Sequence, residues 1–223
     1  MSHSLHDLGL VPFFTQQLAD IDLMQERLGR VSAVQRSKMT VLCEAAEHVV
    51  ELSSTLLQAT AVERPTVGDW VVLDASLSKI EQVLEHKSLF KRLGSGSHHE
   101  LQAIAANIDI LFIVTSCNEE FKESRLERYL ALCAEAGAMP VIVLTKADLS
   151  DDVDSYVRRA RNTQAGIAVE ITNTLDPTTL DGIRSWIGKT TTVALVGSSG
   201  VGKSTLLNSL AGESLTATGG IRE

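Results

Sequence analysis

At 223 residues and 44% hydrophobic, the chain can bury a sizeable core, and its length fits one large domain or two modest ones; we expect two. No run approaches the roughly 18 apolar residues of a membrane span, and the opening MSHSLHDLGLVPFF lacks the basic-then-apolar order of a signal peptide, which points to the cytoplasm and to no membrane partner. A formal charge of −8 argues against a chain coated in phosphate-binding lysines, so any nucleic-acid contact must use a local patch.

Residues 1–28 place Leu10, Phe13, Phe14, Leu18, Ile21, Leu23 and Leu28 between polar positions, which predicts an amphipathic helical arm after Pro12. From Gly29 to about Leu84 the runs shorten and alternate: RVSAV, KMTVLCE, HVVELSS and GDWVVLD, with turn signals at Pro65 and Gly68-Asp69. This pattern predicts a small antiparallel barrel of four or five strands across residues 29–90. Trp70, beside VVL in a strand, reads as core. Arg30, Arg36, Lys38 and Arg64 are candidates for phosphate contact on one barrel face.

The stretch KRLGSGSHHE opens a linker, 91–104, in which His98 and His99 read as exposed loop residues. The rhythm then becomes strand, helix, strand, and a second domain is expected over 105–223. IDILFIVTS (108–116) and PVIVLT (140–145) are continuous apolar runs of the kind buried on both faces of a parallel sheet. Between them SRLERYLALCAEAG puts Leu126, Tyr129, Leu130 and Cys133 on one helical stripe ending at Gly137. Further helices at about 151–164 and 177–187 lead to GIAVEIT and TTVALV, which completes an α/β series with a mostly parallel sheet. Arg158, Arg159 and Arg161 read as a solvated helix face. Cys43, Cys117 and Cys133 are odd in number and lack CxxC spacing, so buried, reduced thiols are expected and no zinc site.

Gly197 to Ser204, GSSGVGKS, fits GxxxxGK[ST] with an apolar strand before it and helix-forming sequence after it. Backbone N–H groups of such a loop surround phosphates at a helix N-terminus. The expected phosphate site comprises Gly197, Ser198, Ser199, Gly200, Val201, Gly202, Lys203, Ser204 and Thr205. Lys203 would neutralise the terminal phosphates and the Ser204 hydroxyl would ligate Mg²⁺, so these two carry the catalytic assignment.

The base is chosen elsewhere. Thr145, Lys146, Ala147 and Asp148 stand at a strand end, where open α/β sheets meet ligands. The Asp148 carboxylate can accept from both N1 and N2 of guanine, whereas adenine offers an acceptor at N1 and nothing at C2. The lost charge-assisted hydrogen bonds, about 1.5–3 kcal/mol each, would disfavour ATP. Lys146 can lay its methylene stem over the purine. A strand-end turn with a capping Asp is the structural alternative for this stretch, and pairing with the phosphate loop on one sheet favours guanine recognition, hence GTP or GDP with Mg²⁺.

Asp148 precedes Gly197, the reverse of the order in Ras-like GTPases, so the domain reads as circularly permuted. The order of barrel, TKAD and GSSGVGKST resembles the bacterial ribosome small-subunit-dependent GTPase A family (RsgA/YjeQ). RPTVGDWVVL, LQAIAANIDILFIV, ESRLERYLALCAEAGAMPVIVLTKADL and GSSGVGKSTLLNSLAG carry the resemblance over nearly the whole chain. It implies an OB-like barrel facing ribosomal RNA, GTP hydrolysis stimulated by the small subunit whose late maturation it assists, and nucleotide contacts at 145–148 and 197–205. The protein is expected to be a monomer. The segment expected to approach the guanine oxygen reads EITNT, 170–174, leaving Thr172 and Asn173 as candidates. The resemblance also places a switch, a DTPG motif and a C-terminal zinc-binding domain after TGGIRE, so zinc is expected only beyond this sequence. Two other classes stay open: a P-loop ATPase or small-molecule kinase, and a non-catalytic RNA-binding assembly factor with a structural nucleotide.

Overall fold

The computed structural model describes residues 4–18, 25–35, 38–44, 46–94 and 100–212. It divides into two units, Met1–Asp109 with Lys189–Thr192, and Ile110–Gly188 with Val193–Glu223. The first is built on five strands, β1 Leu28–Gln35, β2 Lys38–Cys43, β3 Glu47–Leu52, β4 Trp70–Leu73 and β5 Lys79–Val83, closed into a barrel in the order β1-β2-β3-β5-β4. Alternation decides which side chains fill it. Val31, Met39, Val41, Val50, Val71, Leu73 and Ile80 point inward and pack together, as a period of two requires.

One pairing departs from the antiparallel expectation. β3 and β5 run parallel, Glu51 opposite Lys79 and Leu52 opposite Ile80. After β3 the chain makes a helical excursion, Ser54–Gln58, before β4, and the tight turn at Asp74 then sends β5 back beside β3. Every residue of β4 is buried because its second face is covered too: Leu5, Phe14, Leu28, Trp70, Val72 and Leu84 form a cluster outside the barrel interior. Trp70 is core, with the Phe14 ring 5.8 Å away.

In the arm the helix is short over the residues described. These residues hold one four-residue helix, Pro12–Thr15, and a 3-10 turn, Gln25–Arg27, while Leu28 already begins β1. A helix this short has no stability of its own, so Phe14 holds it by burial. Ile21 and Leu23 lie outside the described residues.

The expected linker is also corrected. β6 Leu89–Leu93 and β7 Leu101–Ala106 pair antiparallel, from Leu89 opposite Ala106 to Leu93 opposite Leu101, so Gly- and Ser-rich sequence sits between two strands. Such sequence serves a hairpin tip as well as a tether. His98 and His99 lie outside the described residues. Accordingly 105–109 belongs with the barrel unit, and the second unit starts at Ile110. Lys189–Thr192 returns to the barrel unit: Asp109 N donates to the Thr192 carbonyl at 2.9 Å, Thr192 N donates to the Asp109 carboxylate at 2.8 Å, and Lys189 pairs with Asp7 at 3.2 Å.

The second unit is a four-stranded sheet in the order β10-β9-β8-β11, with β8 Ile110–Ser116, β9 Met139–Thr145, β10 Ala168–Ile171 and β11 Val193–Val196. All three pairings are parallel, so the four carboxyl ends share one edge. β8 is buried throughout, as its unbroken apolar run demands. Helix Glu123–Ala136 buries Leu126, Leu130, Cys133 and Ala136 and stops at Gly137, while Tyr129 stays half-buried under Arg128. Val153–Asn162, Asp181–Ser185 and Lys203–Ala211 complete the helices. Cys43, Cys117 and Cys133 are buried and unpaired, and burial pushes each thiol up to about 11. Among the described residues no helix is long and apolar enough to cross a membrane.

Candidate nucleotide site

Three of the loops that leave the carboxyl edge of the parallel sheet carry the segments singled out in the sequence. β11 runs directly into Gly197–Gly202, β9 into Lys146–Asp148, and β10 into Thr172–Thr174.

The phosphate loop is fastened by two glycines and one apolar side chain. A Cβ at Gly197 would lie 2.2 Å from the Val114 carbonyl oxygen, so only glycine lets the chain turn this close to β8. At the far end Gly202 adopts φ +95° as the residue preceding helix Lys203–Ala211, and no side chain caps that helix. Its first N–H groups are therefore not satisfied by a capping side chain, which suits an anion. Between them Val201 is 1% exposed and packs with Phe112, Val114, Val141, Val143 and Leu206.

Lys203 lies along the inside of this loop. Its ammonium donates to the carbonyls of Gly197 at 2.9 Å and Ser198 at 2.5 Å, and burial pulls it below the usual lysine range. Ser204 and Ser199 are exposed, and Ser198 and Thr205 half-buried. The Ser204 hydroxyl, in the first helical turn, is thus open to a cation beside an anion held at the same N-terminus. Among the described residues no group of three or more His, Cys, Asp and Glu side chains is placed to hold a metal ion. A magnesium ion shared between nucleotide oxygens and one hydroxyl needs no such cluster.

The TKAD segment sits beside the loop. Thr145 is completely buried at the last position of β9, and its hydroxyl lies 2.6 Å from the Val201 carbonyl and 3.1 Å from that of Thr115. Lys146 takes a left-handed conformation, φ 56°, which turns the chain sharply into the 3-10 segment Ala147–Leu149. Asp148 is exposed.

The third loop is the most self-contained. Thr172 is buried, its N–H donates to Leu144 and its hydroxyl meets that of Thr179 at 2.9 Å. The Thr172 side chain is therefore spent on the loop itself. Asn173 is half-buried and accepts from Leu175 N through Oδ1. The Thr174 carbonyl accepts from Ser209 Oγ at 2.8 Å, which ties this loop to the helix that follows the phosphate loop. Thr174, Thr179 and Ser209 escaped sequence reasoning. Val201 was expected within the phosphate site, and its role as the buried anchor of the loop left one signal, as the one apolar residue in GSSGVGKS.

Two of the basic residues proposed for nucleic acid are engaged with backbone carbonyls of their own unit. Arg30 donates to the carbonyls of Leu8 at 2.6 Å, Gly68 at 3.0 Å and Asn107 at 3.1 Å and stacks over Trp70, so it is a structural brace rather than a free phosphate contact. Arg64 donates to the carbonyls of Leu57 and Ala59. Lys38 is exposed, and Arg36 lies outside the described residues. Arg158 and Arg161 are exposed as expected; Arg159 pairs with Glu123 at 2.6 Å and lies over Phe121, 4.5 Å from its ring centroid.

Comparison with known proteins agrees with this architecture. Residues 83–223 match the family model described as RsgA GTPase. The chain is 42% identical over 99% of its length to small ribosomal subunit biogenesis GTPase RsgA 2 of Vibrio vulnificus (strain CMCP6), covering 61% of that protein. It is 42% identical over its whole length to small ribosomal subunit biogenesis GTPase RsgA of Mesorhizobium japonicum, covering 63%. The chain thus spans about three fifths of the length of these relatives. Among solved structures it resembles YjeQ from Thermotoga maritima, with a TM-score of 0.65 at 24% identity over 82% of this chain and 64% of that one. It also resembles YloQ, described as a circularly permuted GTPase, with a TM-score of 0.58 at 25% identity over 81% of this chain and 63% of that one. The fold is a circularly permuted P-loop α/β domain preceded by a small OB-like barrel.

Proposed function

The chain belongs to the RsgA GTPase family, and from that premise we propose that it binds GTP and GDP at the carboxyl edge of its parallel sheet and forms the nucleotide-binding part of a GTP hydrolase. The observation that carries the reading is the convergence of the uncapped N-terminus of Lys203–Ala211 with the Thr145–Asp148 segment, joined by the hydroxyl of Thr145 on the Val201 carbonyl.

In this reading the phosphates lie against the backbone N–H groups from Ser199 to Ser204. Lys203 exchanges the loop carbonyls for phosphate oxygens, and the anion restores the proton affinity that burial takes from its ammonium. Ser204 would hold the magnesium ion, which supplies charge neutralisation between the terminal phosphates. Asp148, exposed and at the turn, accepts from N1 and N2 of guanine, while the Lys146 stem covers the ring. Asn173, at the surface of the third loop, is the candidate to approach the guanine oxygen; Thr172 supports that loop from within.

The names of its relatives extend the proposal to a role in small ribosomal subunit biogenesis. The small subunit and its rRNA are the proposed partners, with hydrolysis stimulated by the subunit, the protein a cytoplasmic monomer, and the barrel unit the RNA-facing part. Arg30 is excluded from that contact by its three carbonyl partners, and Arg64 is bonded to the Leu57 and Ala59 carbonyls, so Lys38 is the candidate retained among the four cations named from the sequence.

A competition titration tests the nucleotide reading. Fluorescent GDP is displaced from wild type and Asp148→Asn by GTP, ATP and XTP. Displacement by GTP and not ATP, with preference moving to XTP in the variant, is the expected result; equal displacement by ATP would mean an adenine-tolerant P-loop protein. For the partner, sedimentation with purified small subunits is expected to retain the GTP-bound protein more tightly than the GDP-bound one, and equal retention would reduce the nucleotide to a structural part.

A further inference from the structure

The base-reading segment begins with a threonine, and a hydroxyl carries one hydrogen where a side-chain amide carries two as well as a separate acceptor. In this fold that hydrogen is engaged. Thr145 Oγ1 sits 2.6 Å from the carbonyl oxygen of Val201 and 3.1 Å from that of Thr115, two acceptors, in a position with no exposure to solvent. The short bond goes to the one residue of the phosphate loop whose side chain is sunk in the core. A Cβ on the adjacent Gly202 would lie 3.7 Å from the same oxygen, so the hydroxyl is packed against the loop as well as bonded to it.

Purine N7 is a bare acceptor and can be met only by a donor. For Thr145 to serve N7, its hydrogen would have to leave Val201 and strand a buried carbonyl, which is worse than forgoing a bond to a base edge that water can serve. We infer that Thr145 is a positioning residue that locks the base-reading turn to the phosphate loop, and that guanine is recognised through its N1 and N2 edge with no hydrogen bond to N7. This rests on the guanine reading of the preceding section. It divides labour between neighbours, Asp148 choosing the base and Thr145 holding the loop that takes the phosphates.

The test is displacement of fluorescent GDP by GDP, by 7-deaza-GDP, in which N7 is a C–H, and by ADP. Wild type and Thr145→Ser are expected to bind 7-deaza-GDP within about twofold of GDP, because no bond of typical strength is lost. Thr145→Asn, which adds a free donor, should come to prefer GDP by about three- to tenfold, the range one neutral hydrogen bond supports. Thr145→Val should weaken GDP and 7-deaza-GDP by one common factor, leaving their ratio unchanged. A wild-type preference for GDP over 7-deaza-GDP of fivefold or more would overturn the inference, even if every variant failed to fold. Displacement by ADP as effective as by GDP would instead overturn the guanine reading, and this inference with it.

Discussion

In the α/β unit a loop is held by neutral means: Val201 is sunk among core side chains and its carbonyl is met by the Thr145 hydroxyl. In the barrel unit the corresponding work falls to a cation, Arg30, which spans the carbonyls of Leu8, Gly68 and Asn107. The difference decides what is left over. Neutral anchoring leaves Asp148 exposed and Lys203 bound to the loop it serves, whereas the barrel unit uses the half-buried Arg30 on its own backbone. A charged residue in a sequence is therefore a functional candidate only where the fold has other means of satisfying its buried carbonyls.

The comparison breaks first at Gly197. Gly197→Ala drives a methyl into the Val114 carbonyl and is expected to destabilise the α/β unit by about 3–5 kcal/mol, overpacking and backbone strain together, and to abolish GDP binding. Gly200→Ala, where a Cβ would meet nothing within 4 Å at φ +78°, should lose only about 1–2 kcal/mol. Urea unfolding and nucleotide titration measure both.

Arg30→Met is next. It leaves the Leu8 and Asn107 carbonyls without their donor and the Gly68 carbonyl with the Asn107 amide alone, and should destabilise the barrel unit by about 2–3 kcal/mol, while Lys38→Ala stays within about 0.5 kcal/mol. If Arg30→Met melted like wild type and weakened small-subunit binding instead, the brace would prove to be a ligand contact.

A third experiment uses pH. His86 Nδ1 lies 3.1 Å from the buried Asp69 carboxylate, which also accepts from Thr66 N, and Asp69 holds the imidazole above its usual 6.5. A raised folded pKa contributes stability that is complete below the unfolded value near 6.5 and is lost as pH rises through the higher folded value. Thermal melts of the wild type should therefore fall across that window relative to His86→Gln, which has no proton to lose; parallel curves would dismiss the pair. The smallest effect belongs to Arg159→Ala. Its ion pair with Glu123 is exposed on both sides, and the loss should be within about 1 kcal/mol, including the ring contact with Phe121.

Legibility followed the range of the interactions. GSSGVGKS and TKAD were readable because each motif is local and its flanks announce strand and helix; their meeting could be expected from parallel strands ending at one edge. The closing pair β3–β5 was not, because the direction of Lys79–Val83 depends on the helical excursion after Leu52. Arg30 was misassigned for the same reason: its partners at Leu8, Gly68 and Asn107 are brought in by three separate segments. The hairpin in place of a linker arose from composition alone, since Gly and Ser serve a turn and a tether equally, and only the pairing of Leu89–Leu93 with Leu101–Ala106 separates them.

The return of Lys189–Thr192 to the barrel unit bears on the order of synthesis. The barrel strands end with Val83, yet the bonds of Thr192 to Asp109 and of Lys189 to Asp7 become available only after Ile110–Gly188 of the α/β unit has been translated. A nascent chain folding from its N-terminus can close the barrel early, but it must wait for this short segment before that unit is whole. The next residues to emerge are β11 and the phosphate loop. During translation, the last step in completing the barrel unit and the first appearance of the phosphate-binding loop thus fall at nearly the same moment.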